Sequence, residues 1–266
     1  MIIGIPKEIK VHEYRVALTP HGAKILVEAG HQVIVQSDAG SAIGFSNQDY
    51  QDSGVSIVNS AQAIFDQADM IIKVKEPQPS ECKLLNKNQI LFTYLHLAAD
   101  PKQTELLLES GSTCIAYETI TDNNNRLPLL QPMSEIAGRM SIQSGAHHLE
   151  KTQGGSGVLL SGATGVNPAQ VLVLGGGVVG MNATKVALGM GAQVTILNRS
   201  LSKRLTDFQQ KYSSQLSVDL SNQTNIEHQL KSADLVIGAA LVAGASAPKL
   251  ITREMLKLMK KGSVLV

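Results

Sequence analysis

Apolar residues in this chain fall into short unbroken runs set between polar, helix-like stretches, with no single long stripe. IIGI at 2–5, VIV at 33–35, MII at 70–72 and VLVL at 171–174 have the form of strands buried on both faces. The pattern predicts strands at Ile2–Ile5, Val33–Gln36, Val55–Val58, Met70–Val74, Gln89–Leu95 and Thr113–Tyr117. Helices are predicted at Pro20–Ala29, with Pro at its start and Gly30 just past its end, and at Asn47–Asp52, Ala61–Gln67 and Pro101–Ser110. Strands and helices alternate, which is the signature of a parallel α/β sheet. Asn123, Asn124 and Asn125 mark a turn, and Pro128 and Pro132 mark a passage between domains. Beyond it Ser134 is the expected N-cap of a long helix, with Glu135 in the first turn and an end near Lys151, joining the domains. A strand at Val171–Leu174, a helix at Met181–Gly189 closed by Gly191, and strands at Gln193–Leu197, Leu235–Gly238 and Ser263–Val266 complete the pattern. The expected architecture is α/β in two domains, 1–128 and 129–266.

Composition narrows the classes of function. The 266 residues are 43% hydrophobic with a net charge of +1, which suits a packed globular protein and offers no field for nucleic acid or an anionic membrane. Two cysteines, Cys82 and Cys114, make neither a disulfide framework nor a zinc spacing, so a reducing cytoplasm fits and no metal site is expected. MIIGIPKEIK is not a signal peptide, and no apolar segment approaches the ~18 residues that cross a bilayer.

The chemistry-bearing motif is Gly175, Gly177 and Gly180, a G-x-G-x-x-G between a predicted strand and helix, with a second strand at the right distance. The first glycine permits the tight turn, the second lets a pyrophosphate approach the backbone, and the third lets the helix pack on the strand. That makes 129–266 a Rossmann-type dinucleotide-binding domain, against the bland alternative of a glycine turn that binds nothing. An acidic residue normally ends the second strand and accepts hydrogen bonds from the adenosine ribose. Here the position is Asn198, followed by Arg199, Lys203 and Arg204, which favours a 2′-phosphate, as in NADP, unless those cations are ordinary helix charges.

Ligands of parallel sheets bind beyond the carboxyl ends of the strands. In the first domain those ends carry Lys75, His96 and Glu118, with Arg15 in the loop after the first strand. Arg can grip a carboxylate bidentately, Lys can add a point charge, and His can move a proton near neutral pH. Each also has a bland reading: Arg15 paired with Glu13 or Glu8 at the surface, Lys75 a solvated strand end, His96 a core histidine.

GIPKE at 4–8, YRVALTP at 14–20, KVKEP at 73–77, LFTYLHLA at 91–98, AYET at 116–119, PLLQPMSEIAGRM at 128–140, TQGG at 152–155, GGGVVGMNA at 175–183 and ADLVIGAALVAGASAPKLI at 233–251 resemble bacterial alanine dehydrogenases along the whole chain. More distantly the chain is similar to the nucleotide-binding subunit of proton-translocating transhydrogenase and to saccharopine dehydrogenase. The resemblance implies that 1–128 is the substrate domain, that Arg15 and Lys75 bind the substrate carboxylate, and that His96 is the catalytic acid/base. It implies that Ser134, Val178, Val179, Lys203, Ala240 and Leu241 line the dinucleotide and that Asn198 stands where the family has its ribose-binding Asp. The implied reaction is reversible oxidative deamination of L-alanine to pyruvate and ammonium with NAD, in a cytoplasmic homohexamer serving alanine catabolism. Two departures qualify this. Asn198 with Arg199 admits NADP, and N-R-S-x-x-K resembles the 2′-phosphate loop of shikimate dehydrogenases. The family also continues past Val266 into D-x-A-x-D-Q-G-G, which carries a second catalytic Asp; a chain without it is expected to turn over no alanine. The alternatives are a non-catalytic or transhydrogenase-like dinucleotide-binding module and an amino-acid dehydrogenase of different substrate range.

Overall fold

The structure, a computed structural model, describes residues 1–212, 214–240 and 248–266. The chain divides into two compact units, Met1–Leu127 and Pro128–Val266. In the first unit the order is β1 (Ile2–Ile5), α1 (Pro20–Glu28), β2 (Gln32–Gln36), α2 (Asn47–Gln51), β3 (Ser56–Val58), α3 (Ala61–Gln67), β4 (Met70–Ile72), α4 (Pro79–Cys82), β5 (Ile90–Thr93), α5 (Pro101–Ser110) and β6 (Thr113–Ala116). In the second it is α6 (Gln131–His148), β7 (Gln170–Leu174), α7 (Val178–Gly189), β8 (Gln193–Asn198), α8 (Lys203–Lys211), β9 (Leu216–Leu220), α9 (Gln223–Leu230), β10 (Leu235–Gly238) and β11 (Val264–Leu265).

The strands of the first unit lie in the order β3-β2-β1-β4-β5-β6, all parallel. This is the doubly wound order, and it reverses between β1 and β4, the kind of switch point beside which such sheets bind their ligands. Ile3, Ile5, Val33, Val35, Ile71 and Leu91 are buried in the sheet, as their unbroken apolar runs require. Helix starts follow local chemistry: Thr19 caps α1 by accepting from the Gly22 N–H at 3.2 Å, and Asp100 caps α5 through the Gln103 N–H at 3.1 Å, each just ahead of a proline.

The second unit has the order β11-β10-β7-β8-β9, also parallel. Its centre is β7, whose Val171, Leu172, Val173 and Leu174 are all buried between α6 and α7 on one side and α9 on the other. Helix α6 lies close against its neighbours because it is notched. A Cβ at Gly138 would stand 2.2 Å from the Val179 carbonyl oxygen, and one at Gly145 would stand 2.5 Å from Leu235 Cδ1.

Three expectations need correcting. Ser134 does not cap α6: the helix begins at Gln131 with Pro132 in its first turn, and the Ser134 N–H already donates to the Leu130 carbonyl at 3.0 Å. Proline is pre-organised for a first turn, and here it outranks the hydroxyl as the start. The helix also ends at His148, before a separate turn at Lys151–Gln153. Finally, β9 and α9 follow α8 where the apolar pattern marks no element; β9 is LSVDL with only Leu216 buried, so it has no continuous apolar run.

Candidate functional site

In the first unit the carboxyl ends of β1, β4, β5 and β6 carry the rim. Glu13 and Arg15 lie in the loop after β1 and are locked together: Glu13 Oε1 accepts the Arg15 backbone N–H at 2.9 Å and Nε at 2.8 Å, and Oε2 accepts Nη2 at 2.6 Å. The hydrogen bonds from Arg15 hold the Glu13 carboxyl below its ordinary range, with a smaller contribution from Lys75 nearby. The bland ion pair of Arg15 with Glu13 therefore exists, and it is also what orients the guanidinium. Lys75 follows β4, with its side chain 23% exposed and Nζ 3.5 Å from Glu76 Oε2. Its carbonyl accepts from Thr93 Oγ1 at 2.9 Å.

His96 follows β5 with its side chain half exposed, so it is not a core histidine. Its backbone is left-handed, φ 51° and ψ 39°, a conformation that costs a non-glycine residue roughly 1 kcal/mol. Buried side chains impose it. Glu118, from the turn after β6, accepts the Leu95 N–H at 3.2 Å and the His96 N–H at 2.7 Å, and Gln103 Nε2 donates to the Leu95 carbonyl at 3.1 Å. The same Glu118 carboxylate lies 3.9 Å from His96 Nδ1. The Tyr94 ring runs parallel to the imidazole, centroids 6.1 Å apart. Burial pushes the Tyr94 hydroxyl's pKa up, while Arg15 pulls the other way.

In the second unit the three glycines of the motif differ in their surroundings. Gly175 has φ 116°, and a Cβ there would stand 2.7 Å from the Ala239 carbonyl oxygen. A Cβ at Gly180 would stand 1.8 Å from the Gly175 carbonyl oxygen. At Gly177, at the start of the twelve-residue α7, nothing among the described residues lies within 4 Å of the Cβ position. Amide N–H groups at such a helix start suit a pyrophosphate. Val178 is exposed and Val179 half-buried beside it.

Asn198 is the last residue of β8. Its Oδ1 accepts the Gly176 N–H at 2.9 Å and its Nδ2 donates to the Ser200 carbonyl at 2.8 Å. Arg199, Lys203 and Arg204 are exposed around it, and Arg204 Nη2 donates to the Gly176 carbonyl at 3.2 Å. The Arg204 contact had a sequence signal only in the cluster of cations. Ala240 is half-buried past β10, where Ala239 N–H pairs with the Leu174 carbonyl at 2.9 Å; Ser134 is half-buried in α6. Leu241 lies outside the described residues. Among the described residues no three His, Cys, Asp or Glu side chains group as a metal site.

Known proteins match both units. The alanine dehydrogenase/PNT N-terminal domain matches residues 4–137, and the alanine dehydrogenase/PNT C-terminal domain matches 141–266. An alanine dehydrogenase of Halomonas elongata is 55% identical over the whole chain, which covers 71% of that protein. One of Methanococcus maripaludis is 51% identical over the whole chain, again 71% of the relative. Among solved structures, an L-alanine dehydrogenase superposes with a TM-score of 0.89 at 49% identity, covering all of this chain and 73% of the other. A transhydrogenase from Sinorhizobium meliloti gives 0.79 at 26% identity, covering all of this chain and 77% of the other. Two domain matches in order, together spanning nearly the whole sequence, leave one assignment: the chain belongs to the alanine dehydrogenase/PNT family.

Proposed function

We propose that this protein is an alanine dehydrogenase, interconverting L-alanine with pyruvate and ammonium, and that Arg15, Lys75 and His96 are its substrate-handling residues. The observation that carries the reading is their common position at the carboxyl ends of β1, β4 and β5, two cations and an imidazole on one rim of one parallel sheet. Arg15, held from behind by Glu13, and Lys75 fix the substrate carboxylate and so orient Cα. His96 passes protons as water adds at Cα and ammonia leaves, with Nε2 as the transferring atom and Glu118 behind Nδ1.

The glycine turn fits a nicotinamide dinucleotide, since no described residue crowds the Gly177 Cβ position at the head of α7. When bound, that group supplies the hydride acceptor. Gly175, Gly177, Val178, Val179 and Gly180 would hold its pyrophosphate; Asn198, Arg199 and Lys203 would meet its adenosine end; Ser134, Ala240 and Leu241 are proposed to line the rest. We read the adenosine site as open to NADP as well as NAD. Both polar atoms of Asn198 are engaged by backbone, no carboxylate stands there to repel a 2′-phosphate, and three exposed cations surround it. A cytoplasmic homohexamer is proposed on family resemblance; no helix among the described residues is long and apolar enough to cross a membrane.

The test is a turnover screen of L-amino acids with both dinucleotides on the full-length protein. Alanine-dependent reduction with little activity on longer side chains is expected. Preference for a dibasic or branched amino acid over alanine would refute the substrate assignment.

A further inference from the structure

Behind the rim lies a buried charge cluster that the mechanism above does not use. Lys73, just past β4, is 0% exposed, and its Nζ sits 3.0 Å from Glu8 Oε2 and 2.8 Å from Glu81 Oε1, both carboxylates being buried. The three charges sum to −1. Apolar residues of the same volume commonly stabilise a fold as well as such a cluster, so stability alone does not account for it. Burial raises the pKa of Glu8, while the Lys73 ammonium and the Val74 N–H pull the other way.

The remaining contacts show what the cluster holds. Glu8 Oε1 accepts the Val74 N–H at 2.6 Å and reaches the Lys75 N–H at 3.4 Å. Glu81 Oε2 accepts the Gln78 N–H at 2.8 Å. From the other side Thr93 Oγ1 donates to the Lys75 carbonyl. Lys75 thus leaves the sheet between two fixed peptide groups, one tied to the loop after β1 and one to the end of β5. Both loops leave the carboxyl edge of the sheet beside β4, next to the point where the strand order reverses.

We propose that Glu8 is a positioning residue for substrate binding: clamped by Lys73 and Glu81, its carboxylate sets the Val74–Lys75 backbone so that the Lys75 ammonium stands at the carboxylate-binding point of the rim. This rests on the assignment of Lys75 to the substrate carboxylate. A flexible lysine stem can find its target from many backbone positions, but it loses less freedom on binding when its Cα is already placed.

The experiment compares Glu8→Gln and Glu8→Asp with the parent in the full-length enzyme, then repeats Glu8→Gln in a Lys75→Ala background. Glu8→Gln keeps an oxygen for the Val74 N–H but presents an amide to Lys73; Glu8→Asp keeps the charge and withdraws it by one methylene. Each is expected to raise KM for alanine and for pyruvate about tenfold, with KM for the dinucleotide within about twofold. Lys75→Ala should raise the same substrate KM, and adding Glu8→Gln to it should raise it no further, since residues acting through one contact are not additive. An equal rise in both backgrounds, or a parallel rise in dinucleotide KM, overturns the positioning role. If Lys75→Ala raises KM and Glu8→Gln does not, this inference alone falls; if Lys75→Ala leaves KM unchanged, the Lys75 assignment falls with it. Should the Glu8 variants not fold, Thr93→Val releases the peptide on the other side of Lys75 and carries the same cycle, and an unchanged substrate KM there overturns the proposal.

Discussion

Replacing Asn198 with Asp tests how the end of β8 sets the choice of dinucleotide. In the native turn Oδ1 takes the Gly176 N–H at 2.9 Å and Nδ2 gives to the Ser200 carbonyl at 2.8 Å. Asp keeps the first bond and makes it charge-assisted, but its second oxygen meets the Ser200 carbonyl as one acceptor against another. The carboxylate must turn toward solvent, where the adenosine ribose is proposed to lie, and one hydrogen bond of about 1 kcal/mol is lost. For NAD, a diol bonded to a carboxylate in place of a neutral amide gains about 1 kcal/mol. For NADP, a unit charge about 6 Å from the carboxylate is repelled by roughly 0.7 to 2.8 kcal/mol as the effective dielectric falls from about 80 to 20. Taking about 1.4 kcal/mol from that range, the kcat/KM ratio of NAD to NADP should rise by about 2.4 kcal/mol, or roughly fiftyfold. Adding Arg199→Ile should extend the change, because it removes a guanidinium that can fork onto a phosphate. The assay is initial-rate kinetics with each dinucleotide at saturating alanine, and a thermal midpoint lower by about 2–4 °C should accompany the lost bond. A native ratio already favouring NAD by more than about a hundredfold, unmoved by the double change, would show that this turn does not govern the choice.

Gly180→Ala should weaken NAD and NADP equally, by more than about tenfold, because α7 must retreat by about 1 Å to clear the Gly175 carbonyl; an unchanged dissociation constant by fluorescence titration would contradict the pyrophosphate site. His96→Ala should lower kcat by about 10²-fold or more while changing substrate KM little, and retained turnover would remove His96 from the chemistry. Glu13, whose folded pKa lies below its ordinary value of 4.5, takes up a proton more readily unfolded, so its ion pair with Arg15 stabilises fully above pH 4.5 and fades as pH falls through the folded value. The stability difference between the parent and Glu13→Gln, measured by urea unfolding from pH 6 down to about 3.5, should therefore shrink with acid; a constant difference would mean that the pair contributes nothing by charge.

Much of this molecule was legible in the sequence because its signals were local. VLVL, the three glycines and the apolar run before Asn198 predict β7, the turn, α7 and β8 from spacing alone, and the backbone stands too close at Gly175 and Gly180 for a side chain. Lys75, His96 and Glu118 were legible as strand-end residues because parallel strands all finish on one edge. What stayed hidden depends on partners far apart in the chain. Nothing local says that Glu8 will bury itself against Lys73, although a lysine inside MIIKV two residues beyond the buried Ile71 is a signal for an inward-pointing charge. Glu118 gives no local sign that it grips the Leu95 and His96 amides. Ser134 misled for the opposite reason: a good capping residue was present, but a proline two residues earlier had already started the helix.

The position of β1 in the middle of its sheet has a consequence during synthesis. Ile2–Ile5 leaves the ribosome ahead of its sheet partners, yet one of its flanks is covered only by β4, which begins at Met70. At ~5–20 residues per second, about 70 residues take roughly 4–14 s to appear. Through that interval an apolar strand offers an unpaired edge, while β2 can shield only the other side. The second unit repeats the delay, since β7 waits for β10 across a span of similar length. Each unit thus makes its central strand early and completes it late, so a pause in translation before Met70 prolongs the exposure of that edge, and any molecule that pairs with it competes directly with β4.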